Sequence, residues 1–157
     1  MRRFLPIIIA VFIFLTSCGD NALRPDPITD GISFVITTEG ADTKTLQISR
    51  SGENFDAVFL HTDGTKGLGM SVSPSGCFIN VFKLKKQIDF EYISTSIPAL
   101  VYTALNHNFV DDDFKNGIYY CSDTCGDFEV SVGDDGVISK VNFVKYNYIC
   151  NFDYKNA

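Results

Sequence analysis

Two histidines, a set of spaced cysteines and a run of three aspartates are the residues best equipped for chemistry. A nucleophilic hydrolase needs a hydroxyl or thiol beside a base, and His61 and His107 are the only imidazoles in the chain. His61 precedes an Asp63-Gly64 turn and His107 sits in a polar loop, places that exposed histidines commonly fill. Gly69-Met70-Ser71-Val72-Ser73 carries half of a Gly-x-Ser-x-Gly nucleophile elbow, but the second glycine is missing and no helical pattern follows. Cys77, Cys121, Cys125 and Cys150 do not form the two close pairs of a zinc framework, and the spacing of Cys121 and Cys125 misses Cys-x-x-Cys by one residue. Asp111-Asp112-Asp113 could offer oxygens to Ca²⁺, yet the alternating acids, central glycine and distal glutamate of an EF-hand are absent, so a solvated loop is the default. Gly64, Gly67 and Gly69 lack phosphate-loop spacing. Lys83, Lys85 and Lys86 form one basic cluster where a strand gives way to the next, a place where lysines blunt sheet edges. None of these patterns asks for a cofactor or a metal.

The elements that must position these residues are strands. From Gly31 onward, short runs rich in Val, Ile, Phe, Tyr and Thr alternate with turn signals every ten to twelve residues, which predicts an antiparallel meander of about 8–10 strands closed as a sandwich or small barrel. Strands are expected at Ile32–Ile36, Thr45–Ile48, Phe55–Thr62 and Leu68–Val72. Cys77–Leu84 is apolar on both parities and so reads as a central strand covered on both faces, followed by a strand through Ile88, Phe90 and Tyr92. Ser96-Ile97-Pro98 has the cap and first-turn residues of a short helix over 97–106, against the β-rich composition around it. Beyond the loop 106–116, strands resume at Ile118–Cys121. Phe128–Val132 and Val137–Val141 form a hairpin through Gly133-Asp134-Asp135-Gly136. A last strand alternates from Val144 to Tyr154, one face aromatic, and reads as core in preference to a ligand cavity.

The first eighteen residues have a different grammar. Arg2 and Arg3 precede an apolar run, Phe4–Leu15, interrupted only by Pro6, and small residues lead to Cys18. This is a signal-peptide layout, and the run is too short for a lasting membrane span. Leu15-Thr16-Ser17-Cys18 resembles the lipobox of bacterial lipoproteins. The resemblance implies cleavage before Cys18, acylation of its sulfur and a membrane partner reached through acyl chains. Gly19, in place of the aspartate that retains enterobacterial lipoproteins in the inner membrane, implies the outer membrane where one exists. Residues 19–30, with two prolines and no periodicity, read as a flexible tether to a single domain over 31–157. Four cysteines in an exported chain favour disulfides. Of the three pairings, a local Cys121–Cys125 and a long-range Cys77–Cys150 bridge are expected, contributing about 2 and about 4 kcal/mol in a loop-entropy model.

Charge narrows the partners. The 157 residues carry 13 basic and 19 acidic side chains. Loss of residues 1–17 takes Arg2 and Arg3, leaving 11 against 19 and a net charge of −8, which repels nucleic acid and anionic headgroups alike. Three readings follow: a lipid-anchored, non-catalytic binding or structural module; a lipocalin-like barrel carrying an apolar molecule, although the Gly-x-Trp signature is missing in a chain without tryptophan; and, with least support, a hydrolase using His61 or His107.

Overall fold

A computed structural model describes residues 24–39 and 43–154. Its strands are β1 Ile32–Glu39, β2 Thr45–Ser51, β3 Asn54–Leu60, β4 Lys66–Ser73, β5 Gly76–Val81, β6 Leu84–Ile88, β7 Phe114–Lys115, β8 Ile118–Asp123, β9 Gly126–Val132, β10 Ile138–Phe143 and β11 Tyr148–Asp153. One helix, α1 Ile97–Leu105, interrupts them. The meander expected from the strand rhythm is the fold. It is not closed into a barrel: a single antiparallel sheet runs β6-β5-β4-β3-β2-β1-β11-β10-β9-β8-β7.

That order has a seam. The first and last strands pair in the middle of the sheet, Val35 opposite Asp153 and Thr38 opposite Cys150, so two meanders, β1–β6 and β7–β11, are joined along β1 and β11. Period-two alternation sends Phe34 and Ile36 of β1, Leu46 and Ile48 of β2, Phe128 and Val130 of β9, and Cys150 of β11 into one core. The α1 helix lies across this inner face, touching β3 on one side of the seam and β10 on the other. Seven of its nine residues are buried, which explains why it forms amid β-rich sequence: tertiary burial stabilises a short helix that propensity alone would not. Pro98 occupies the first turn as expected, whereas the Ser96 hydroxyl makes no capping bond.

Three expectations need correction. Cys77–Leu84 is not one central strand: it turns at Phe82-Lys83, and its two pieces, β5 and β6, lie second and outermost at an edge. Ile88, Phe90 and Tyr92 are not a strand, because β6 ends at Ile88 and Phe90–Ile93 is a 3-10 turn. The final alternating run also breaks: Val144–Tyr146 is a 3-10 turn, and Asn147, at φ 52°, redirects the chain into β11. The split of Cys77–Leu84 offsets the lost strand at Ile88–Tyr92, and the two-residue β7 brings the strand number to eleven.

The stretch expected as a loose tether is docked from Arg24 onward. The Arg24 guanidinium donates to the Phe109 carbonyl and pairs with Asp111. The Tyr119 hydroxyl donates to the Pro25 carbonyl, and Ile28 N–H to that of Gly136. At the other end of the stretch, the Asp30 carboxylate accepts from the backbone N–H groups of Gly52 and Gly31. These bonds hold that carboxyl below its usual range.

Candidate functional site

The closest approach to a catalytic arrangement lies where β8 meets β9. Residue 107 follows α1 by two positions, and Asp123 ends β8, so helix and hairpin bring together side chains that sequence keeps apart. His107 Nδ1 is 3.1 Å from Asp123 Oδ2, with side chains 13% and 32% exposed. Phe109 and Phe128 stand edge-on to the imidazole, each with its ring centroid 5.3 Å away. The histidine bond, reinforced by the Thr124 N–H, holds the Asp123 carboxyl below its usual range. A carboxylate on Nδ1 fixes a ring tautomer and leaves Nε2 to act, the orienting half of a catalytic triad. The nucleophile half is not assembled: the Thr124 hydroxyl serves Asp123, and no hydroxyl or thiol bonds to His107 among the described residues.

His61 has no such partner. It sits exposed at the β3–β4 turn, its backbone bonded to Thr65 and Gly64, and its ring lies over Gly67, where a Cβ would come within 2.9 Å of Nε2. Gly67 is thereby explained without a phosphate. Gly69 and Ser71 lie within β4, with Ser71 accepting from the Asn80 side chain, so the half-elbow is a strand. Asp111, Asp112 and Asp113 form a 3-10 turn on which Asp111 binds Arg24, and no group of three His, Cys, Asp or Glu among the described residues could hold a metal.

Neither expected disulfide is present: Cys77, Cys121, Cys125 and Cys150 are free and buried, with no pair at bonding distance. The register shows why. Cys121 stands opposite Phe128 while Cys125 occupies the turn, and β4, β3, β2 and β1 separate Cys77 on β5 from Cys150 on β11. Burial pushes the Cys121 and Cys150 thiols up to about 12. Such thiols carry almost no thiolate at neutral pH and are poor nucleophiles and slow to oxidise.

A second feature is a cleft of about 600 Å³ beside α1, walled by Phe55, Val72 and Tyr102 and rimmed by Asp30, Glu53 and Arg50. Two of its three charges are committed. Arg50 donates to the Leu105 carbonyl and the Asn106 side chain, where a cation complements the helix C-terminus, and Asp30 is held by two backbone amides. Among the described residues no buried side-chain nitrogen or oxygen lacks a partner. Sequence reasoning missed Arg50, Asp30 and Asp123, none of which lies in a local motif. Models of known protein families give no match to this chain, and neither do the curated proteins. Residues 1–17 and Cys18 lie outside the described residues.

Proposed function

We propose that the chain is a bacterial lipoprotein of the cell envelope, held by acyl chains on Cys18, whose β domain works by binding or structural contact without catalysis. The observation that carries this reading is the N-terminal stretch: a cationic head, an apolar run of lipoprotein-signal length and Leu15-Thr16-Ser17-Cys18. Two or three acyl chains, at roughly 0.8 kcal/mol per buried CH₂, make such an anchor permanent. The docked segment supports it, because only the stretch between Cys18 and Arg24, at most about 20 Å when extended, separates anchor from domain. Gly19 after the cysteine favours the outer membrane. A barrel carrier is disfavoured, since the sheet is open and α1 fills its inner face. Mass spectrometry of the N-terminal peptide from cells should show a diacylglyceryl thioether on Cys18, and Cys18→Ser should leave the membrane fraction or stay unprocessed. An unmodified Cys18, or processing indifferent to globomycin, would overturn the reading.

The His107–Asp123 pair favours a second reading, a hydrolase in which a water or substrate hydroxyl meets Nε2. A panel of chromogenic esters and peptides tests it. Turnover lost in His107→Ala with the fold retained supports it, and absence of turnover by the native protein retires it.

A further inference from the structure

Four of the exposed large apolar side chains gather at one place. Leu68 on β4 stands opposite Val81 on β5, and Val81 opposite Leu84 on β6, so the three share one face at the rim of the sheet. Phe82 projects from the turn between them. Their exposures are 48%, 39% and 76%, with Phe82 at 89%. The backbone singles Phe82 out further. Three described residues other than glycine have left-handed φ values; two are Asn116 and Asn147, a type that tolerates them, and the third is Phe82 at φ 52°. A bulky ring here strains the turn and buries nothing in return, so folding alone does not account for it.

Lysines surround this tip. Lys83 shares the turn, Lys86 stands on the same face as Leu84, and Lys85 lies on the other face with its ammonium 4.1 Å from the Phe78 ring centroid. The cluster runs against an acidic chain. Glu39 and Asp63 lie toward the same rim, but β1 is several strand spacings from β6, and Asp63, in the β3–β4 turn, is roughly 10 Å from it. That distance exceeds the screening length of about 8 Å at physiological salt.

We propose that the β5–β6 tip is a membrane-contact element, with Phe82 and Leu84, backed by Val81 and Leu68, entering the interfacial zone of a bilayer while Lys83, Lys85 and Lys86 meet anionic headgroups. An aromatic tip with lysines that keep their ammonium groups in water is the composition of an interfacial anchor. Such a contact lays the domain along the bilayer, because β1 begins at the end of the sheet opposite Phe82 and the leader enters there. It stands independently of acylation at Cys18.

The chain has no tryptophan, so Phe82→Trp in the full chain places a single reporter at the tip. With vesicles of phosphatidylcholine containing phosphatidylglycerol, its emission should shift to the blue and be quenched by lipids brominated near the headgroup. Replacing Lys83, Lys85 and Lys86 with Gln in that background should lower the ratio of lipid-embedded to water-exposed tip about a hundredfold, roughly fivefold per lysine. A water-like emission from protein that co-floats with the vesicles would overturn the proposal while leaving the Cys18 anchor standing. A blue shift that needs no lipid and grows with protein concentration would overturn it too, assigning the tip to a second copy of the chain.

Discussion

Two hairpins end on the same rim of the sheet and treat their apolar side chains in opposite ways. The β8–β9 hairpin turns through Asp123-Thr124-Cys125-Gly126 with glycine in the left-handed position, buries Cys121, Cys125 and Phe128, and is overlain by His107 and Phe109 from the segment after α1. The β5–β6 hairpin turns through Val81-Phe82-Lys83-Leu84, puts an aromatic ring where glycine or asparagine is usual, and leaves it bare. The difference teaches that two stretches of one rim are under different constraints. One is finished by intramolecular packing, and the other keeps a strained, exposed ring that the fold does not use.

Four measurements break or sharpen that contrast. The largest effect belongs to the packed hairpin: Phe128→Ala should cost about 3–5 kcal/mol in urea unfolding, while Phe82→Ala should stay within about 0.5 kcal/mol. Comparable losses at both positions would show that the β5–β6 tip is structural after all. Next comes alkaline pH. The Cys121 thiol has a folded value raised above its ordinary one to about 12, so its contribution is complete below about 9 and is lost as pH rises from there towards 12. Stability should fall over that window by on the order of 2 kcal/mol from this group, and Cys121→Ala should lessen the slope, leaving the share of Cys150, whose thiol is also raised to about 12. Asp123→Asn should cost about 1 kcal/mol at pH 7. Because its carboxyl is depressed in the fold, the native protein should keep that advantage above the ordinary aspartate value and lose it as pH falls below it, a dependence the variant should lack. The smallest effect is a gain: Phe82→Asn should relieve the left-handed turn and raise the free energy of urea unfolding by up to about 1 kcal/mol.

Turn chemistry decided how much of the architecture could be read beforehand. The β9–β10 hairpin was legible because Gly133-Asp134-Asp135-Gly136 interrupts two alternating runs, and the structure places its turn there. The β5–β6 turn was not, because Phe82-Lys83 has the composition of a strand and its conformation is one that only the folded chain reveals. Asn147 was the sole marker of the break before β11, and a single asparagine amid Tyr and Val is easily read through. The meander was legible from the strand rhythm; its open edges were not, since closure depends on curvature that side-chain alternation does not encode. The site is a harsher case. Asp123 lies 16 residues from His107, and only the path of α1 and β8 brings them together. The cysteines show the limit of counting: an even number suggested bridges, and sheet order keeps the long-range pair apart.

The seam along β1 and β11 has a consequence for how the protein is made. A chain emerging in order completes β1 to β6 first, and the row of hydrogen-bonding groups on the far side of β1 stays bare until β11 slides between it and β10. Once β10 has formed, the partial product carries two open edges at what becomes the centre of the sheet, so a molecule truncated before Tyr148 would be stranded with its most adhesive surface outward. Translocation of an unfolded thread, with folding deferred until the whole length has crossed, suits such a topology better than piecemeal folding on the ribosome.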